Sequence, residues 1–354
     1  MENKYWAGRI RGVEPYVAGE QPKDRSYIKL NTNENPYPPS PRAVEALTST
    51  PPAELRLYPD PECGALTDAL CRAYGVRPEQ VFIGNGSDEV LAFCFAAFTD
   101  ADTPAVFPDL TYSFYPVYAG LFGSKTRIVP VADDFTIPLD ALCRNDGTVV
   151  LTNPNAPTSL AVPLAEVEHV VRANPDHVVI VDEAYVDFGA ESAVPLLETY
   201  DNLLVVQTMS KSRSFAGLRV GYALGSEALI SALDTVKNSF NSYTVDRAAM
   251  RAAAAAVDDA EYFRACCEKV ISARETAAEA LRALGCEVLP SKSNFLFVRM
   301  PGVPGRSVYE GLRSRGILVR WWDKDRIRDF VRITVGTPEE MDALVRAMRE
   351  IKEG

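Results

Sequence analysis

The sequence predicts an α/β fold: a large domain with a central, mostly parallel sheet flanked by helices, joined to a smaller α+β domain. Three observations predict it. Short runs rich in Val, Ile and Leu recur between residues 81 and 224 and alternate with stretches of helical periodicity, which is the pattern of a sheet covered on both faces. Many of these runs end in Gly, Asn, Asp, Ser or Lys, the chemistry that gathers at the carboxyl ends of strands in open α/β sheets. Near residue 245 the texture changes to a long Ala-rich helical region followed by well-separated strands. The chain of 354 residues has room for one large domain and one smaller one. The large domain is assigned to 30–244, and the small domain to 1–29 plus 245–354.

Taken in order, residues 1–30 are polar and irregular, with room for a short helix. Residues 31–41 carry four prolines and three asparagines, which defeat helix and central strand alike and give an extended loop. Helices are expected over 43–48 and 63–74. The short strand 81–83 runs into Gly84-Asn85-Gly86-Ser87-Asp88-Glu89, and helical spacing resumes over 90–98. Strands are expected at 105–107, 125–131, 148–152, 178–181, 203–208 and 220–224, with helices at 112–121 and 164–173 between them. The second domain reads as a helical region over 246–284 with at least one break, strands at 286–289, 294–298, 317–320 and 330–334, and a closing helix over 338–352.

Composition narrows the function. A net charge of −11 and a pI near 4.9 oppose a nucleic-acid or anionic-membrane partner, although a local pair of arginines still binds a small anion. The seven cysteines and two histidines show no metal-type spacing; the cysteines read as free thiols of a reducing compartment. The first residues lack the apolar core of a signal peptide and no apolar run reaches about 18 residues, so a cytoplasmic protein without a membrane span is expected.

The chemistry centres on two strand ends. Leu203 to Thr208 leads into Met209-Ser210-Lys211, with Gly217 and Arg219 following; Val178-Val179-Ile180-Val181 leads into Asp182, with Tyr185 beyond. A lysine that forms an imine needs a dry pocket that lowers its pKa, and a pyridine cofactor needs a carboxylate to keep its ring nitrogen protonated. Lys211 and Asp182 are such a pair. The glycine turn at 84–87 can cradle a phosphate on free amide N–H groups, with Arg219 as the charged clamp and Ser210 and Thr208 as hydroxyl donors. Tyr112, just past a strand, can stack on a flat ring or simply fill the core. Asn155, in the proline-rich loop 153–159, can bond a ring hydroxyl or belong to a plain turn.

These residues resemble those of the PLP-dependent aminotransferases of fold type I, over nearly the full chain. The segments Tyr16 to Pro22, Leu30 to Tyr37, Arg56 to Asp60, Asn238 to Tyr243 and Val331 to Thr337 are similar to the branch that acts on histidinol phosphate. The resemblance implies pyridoxal 5′-phosphate as cofactor, histidinol phosphate and glutamate/2-oxoglutarate as substrates, and a homodimer with shared active sites. It implies that Lys211 carries the cofactor as an imine, Asp182 pairs with the ring nitrogen, and Tyr185 bonds the ring oxygen. It further implies that Gly86, Ser87, Asp88, Thr208, Ser210 and Arg219 surround the cofactor and its phosphate, that Tyr112 stacks on the ring, and that Tyr58 reaches the other subunit's cofactor. By the same resemblance Arg332 is expected to take the substrate's anionic end, with Tyr16, Asn33 and Arg320 beside it. The chain departs from the family in the loop that usually reads Asn-Pro-Asn-Asn-Pro-Thr-Gly. Ala156 stands at the second central Asn and Ser159 at the Gly; either Asn155 substitutes through a shifted loop or Tyr185 carries the ring-oxygen contact alone. Ala18 stands where the family often has proline. Within the superfamily, an aromatic amino-acid aminotransferase and a decarboxylase of a phosphorylated amino acid remain alternatives. A non-catalytic binding protein on the same fold fits poorly, because Lys211 is present.

Overall fold

The computed structural model describes residues 4–354. Its centre is a seven-stranded mixed sheet in the order Val81–Gly84, Gly221–Gly225, Leu203–Thr208, Val179–Asp182, Thr148–Thr152, Ala105–Pro108, Thr126–Val129. Only Gly221–Gly225 runs antiparallel to its neighbours; the adjoining pairs from Leu203–Thr208 to Thr126–Val129 are parallel. Alternation of side chains explains the unbroken apolar runs. Val149, Leu151, Val179, Val181, Leu203 and Val205 enter one buried layer, while Val150, Ile180, Leu204 and Val206 enter the other. Parallel strands also point the same way, so the ends of Thr148–Thr152, Val179–Asp182 and Leu203–Thr208 open onto one edge of the sheet.

A second sheet of four antiparallel strands follows the order Arg320–Trp321, Phe330–Thr334, Phe295–Arg299, Glu287–Val288. Its apolar face packs with the helices Ala260–Ala283, Gly305–Ser314 and Pro338–Glu353 around Leu281, Leu296, Leu312, Ile333 and Leu344. Ile28–Lys29 pairs in parallel with Ile317–Leu318, so a segment near the start of the chain is stitched to this C-terminal unit. The helix Arg247–Asp258 packs instead on Pro41–Thr48 and Gly64–Tyr74 and supplies Ala249, Ala252 and Ala253 to the large core.

Differences from the expected elements have local causes. The expected helix over 112–121 starts at Tyr115, where Pro116 stands in its first turn. The strand expected over 125–131 shortens to Thr126–Val129, an edge strand whose first three residues are exposed. The helical region 246–284 breaks at Asp259, between Arg247–Asp258 and Ala260–Ala283. The helix Glu227–Phe240 was not anticipated, although Leu229, Ile230, Leu233 and Val236 recur at helical spacing and pack on the core. Among the described residues no helix is long and apolar enough to cross a membrane.

Candidate active site

At the carboxyl edge of the large sheet, against the second unit, lies a pocket partly open to solvent. Its walls include Lys211, Asp182, Tyr185, Arg219, Arg332 and Arg320.

The floor is Asp182, the last residue of its strand and 2 % exposed. Its neighbour Glu183 points the other way, as strand alternation requires, and accepts bonds from Ser192, Ala193 and Gln207. Asp182 accepts a 2.7 Å bond from the Tyr115 hydroxyl and a 3.2 Å bond from the Ala184 amide. Burial outweighs these bonds and pushes its carboxyl up to about 6, with nearby Asp88 adding to the rise. No cation pairs with Asp182 among the described residues, so the floor is an acid that lacks a counter-charge.

Lys211 stands above it on the turn after Leu203–Thr208. Asn35 fixes this turn, since its amide donates to the main-chain oxygens of Lys211 and Ser212 at 2.9 and 3.2 Å. The Lys211 ammonium donates to Thr32 O at 3.3 Å and lies 6.0 Å from the centre of the Tyr185 ring. Burial, and then the positive field of Arg332, lower its pKa to about 8.

One end of the pocket is built for an anion. Gly86, with φ +81°, caps the helix Ser87–Phe98, whose first turn has no side-chain cap; free amides there carry the positive end of the helix dipole. A Cβ at Gly86 would collide with the Arg219 guanidinium, so the glycine lets that cation close over the turn. Arg219 donates to Asp88 at 3.0 Å and to Ser210 Oγ at 3.3 Å. Thr208 Oγ1 bonds Ser210 Oγ at 3.0 Å, and Asp88 accepts a 2.6 Å bond from the Tyr112 hydroxyl.

The opposite end carries two more cations. Arg332 and Arg320 face each other across adjacent antiparallel strands. Arg332 donates to Asn31 O at 3.1 Å, but its buried Nε has no partner. Burial lowers its pKa. Arg320 donates to Ala18 O and Val17 O at 3.2 and 2.8 Å. Asn33, held in the left-handed region at φ +57° by its bonds with Thr334, donates to the Tyr185 hydroxyl at 3.0 Å. Tyr16 stacks on Phe114 at 4.3 Å and lines the same end.

Most residues singled out from sequence therefore converge on one pocket; Gly86 stands behind Arg219 at its edge, and Asn155 and Tyr58 do not line it. Asn155 commits its amide nitrogen elsewhere, donating to Leu110 O at 3.0 Å and Thr158 Oγ1 at 2.9 Å, its buried Oδ1 has no partner among the described residues, and Ala156 rather than Asn155 lines the pocket. Ser159, at the usual glycine position, adopts φ +67° and bonds Pro290 O. Tyr58 lies outside the pocket, 78 % exposed and stacked on Tyr243 at 4.6 Å. Sequence reasoning missed Tyr115, Thr32 and Trp322; none carries a local motif. It also singled out no metal site, yet Asp140, Cys143 and His169 bring ligand atoms within 4.8 Å of one another. Arg144 and Arg172 on that same wall oppose a cation there.

Comparison with known proteins agrees with this geometry. The family model for aminotransferases of class I and II matches residues 25–348. A histidinol-phosphate aminotransferase 2 of Dechloromonas aromatica is 53 % identical over 353 residues, covering 99 % of each chain. A histidinol-phosphate aminotransferase of a Marinomonas species is 52 % identical over 352 residues, covering 99 % of this chain and 100 % of that one. The crystal structure of histidinol-phosphate aminotransferase from Sinorhizobium meliloti in complex with pyridoxal 5′-phosphate superposes with a TM-score of 0.89 at 26 % identity, over 99 % of this chain and 98 % of that one.

Proposed function

The chain belongs to the class I and II aminotransferases and, within them, to the histidinol-phosphate aminotransferases, and from that premise we propose that its pocket exchanges an amino group between L-histidinol phosphate and 2-oxoglutarate. The products are imidazole acetol phosphate and glutamate, and the reaction is a step of histidine biosynthesis. Pyridoxal 5′-phosphate is the cofactor of this enzyme class.

The observation that carries the reading is geometric: one pocket holds the Lys211 amine, on the turn after one strand, together with Asp182, a buried carboxylate at the end of the neighbouring strand with no cation beside it among the described residues. The residues fit the cofactor. The open helix end at Ser87, with Gly86, Ser210 and Arg219, suits a phosphate dianion; Asp182 suits a protonated ring nitrogen, which supplies its missing counter-charge. When bound, pyridoxal phosphate supplies the electron sink for the breaking Cα–H bond.

The protein's part is protonic and positional. Lys211 Nζ takes the proton from Cα and returns it one step later, and with a pKa near 8 about a tenth of such amines are uncharged at pH 7. Asp182 holds the ring-nitrogen proton in place, and Tyr115 holds Asp182. Tyr185, whose hydroxyl accepts from Asn33, would bond the ring oxygen at the position where Ala156 cannot. Tyr112, which lines the pocket and donates to Asp88, would cover the ring face. Arg332, with its unpartnered Nε, receives the anionic end of either substrate, because a guanidinium fork accepts carboxylate and phosphate alike. Arg320, Tyr16 and Asn33 complete that end.

We place Tyr58 in the neighbouring subunit's site of a cytoplasmic homodimer. Its exposure, with that of Phe240 at 79 % and Tyr243 at 42 %, leaves an aromatic surface next to the pocket-forming unit that suits burial in a dimer. Turnover of histidinol phosphate against phenylalanine, with 2-oxoglutarate as acceptor, tests the substrate assignment; preference for phenylalanine would make the enzyme an aromatic aminotransferase.

A further inference from the structure

Arg320 and Arg332 are direct partners across an antiparallel strand pair, and side chains so placed share one face of the sheet. Two guanidiniums there repel, and Arg320 is among the groups that lower the Arg332 pKa. No carboxylate pairs with either in an ion pair among the described residues. One aromatic side chain meets both. The Arg320 guanidinium carbon lies 5.4 Å from the centre of the Trp322 ring, and that of Arg332 lies 5.2 Å from it. Arg332 is also 5.2 Å from the Phe295 ring. Trp322 is two residues beyond Arg320 on the same face and lines a smaller cavity together with Tyr16, Tyr112, Ala156 and Arg332, all of which also line the main pocket.

We propose that Trp322 is a positioning residue that holds the Arg320 and Arg332 guanidiniums side by side as a site for a dianion, and so sets the preference for a phosphate-bearing substrate. The electron-rich indole face attracts both cations, which offsets their mutual repulsion and fixes their directions without neutralising them. A carboxyl-directed ion pair would do the opposite, since it would occupy the donors that the ligand needs. A phosphate ester carries up to two negative charges and three acceptor oxygens, whereas a carboxylate carries one charge and two oxygens. Two guanidiniums held together therefore favour the phosphate, while one suffices for glutamate. The proposal rests on the assignment of Arg332 to the substrate's anionic end.

The test compares holoenzyme variants Trp322→Phe and Trp322→Leu. Both leave an apolar side chain of similar bulk, but only phenylalanine keeps an aromatic face. Trp322→Leu is expected to raise KM for histidinol phosphate about tenfold, to change KM for glutamate less than about threefold, and to leave kcat within about twofold. Trp322→Phe should recover most of the loss. Calorimetric binding of inorganic phosphate to the holoenzymes supplies a readout independent of turnover, with the same order of affinities: wild type, Phe, Leu. Equal KM changes for both substrates, or phosphate affinities that do not distinguish Phe from Leu, would overturn the proposal. If wild-type enzyme fails to turn over histidinol phosphate but its phosphate affinity follows that order, the substrate assignment falls and the role of Trp322 stands.

Discussion

Asp182 lies beneath the pocket with two hydrogen bonds and no cation, and the consequence is a specific stability profile for the protein without its cofactor. An ordinary aspartate titrates near 3.9, whereas burial holds Asp182 up to about 6. Between these values the unfolded chain has released a proton that the folded protein keeps, so folding stability falls as pH rises through this window. Above it the loss is complete, and two pH units at about 1.4 kcal/mol each make about 3 kcal/mol. Asp182→Asn preserves the shape, leaves an oxygen for Tyr115 to donate to, and removes the charge. The cofactor-free variant is therefore expected to be more stable than wild type by about 3 kcal/mol at pH 8, and by about 1.4 kcal/mol less than that at pH 5. The loaded enzyme should show the reverse order, because the protonated ring nitrogen loses its anionic partner, and turnover should fall by ~100-fold or more. Denaturant melts of both forms at pH 5 and 8 measure this. A cofactor-free variant that is no more stable than wild type at pH 8 would refute the claim that Asp182 is an uncompensated buried acid.

Two further outcomes concern Asn155 and Lys211. Asn155→Ala should lower stability by about 1–3 kcal/mol, the range for removing a buried hydrogen-bonding group, while kcat/KM stays within about threefold; a large kinetic loss with unchanged stability would return Asn155 to the cofactor. Lys211→Ala should eliminate the visible absorbance of lysine-bound cofactor and lower turnover by at least ~100-fold, and near-normal turnover in that variant would remove Lys211 from the chemistry.

The legible parts of this molecule are those where chemistry is written in contiguous residues. The run Leu203–Thr208 followed by Ser210, Lys211 and Arg219 declared both a buried strand and its polar end, and the run before Asp182 did the same. Parallel pairing then brings those ends to one edge whatever the strand order, which is why a pocket could be foreseen without the topology. Arg219 is a subtler case. Its φ of +55°, unusual for a residue with a Cβ, aims it back over Gly86, and nothing in the local sequence states that direction.

Contacts between distant segments were not legible. Tyr115 meets Asp182 across 67 residues, and Thr32 meets Lys211 across 179; both depend on which strands become neighbours. Trp322 looks like any half-buried aromatic until two arginines are found against it. In the loop 153–159 residue type and conformation point different ways. Residue type alone made Asn155 a ligand candidate, but loop conformation spends its amide on Leu110 and Thr158 and turns Ala156 to the pocket.

The central claim is that Lys211, Asp182 and the paired arginines form one amino-transfer site tuned to a phosphate-bearing amine. Its most direct test is kcat/KM for histidinol phosphate, histidinol and phenylalanine, each with 2-oxoglutarate on the same holoenzyme preparation. Charged hydrogen bonds contribute about 1.5–3 kcal/mol each, so losing contacts to both arginines should lower kcat/KM for histidinol by ~100-fold or more relative to its phosphate ester, with phenylalanine also well below. Comparable values for histidinol and histidinol phosphate, or a higher value for phenylalanine, would contradict the account.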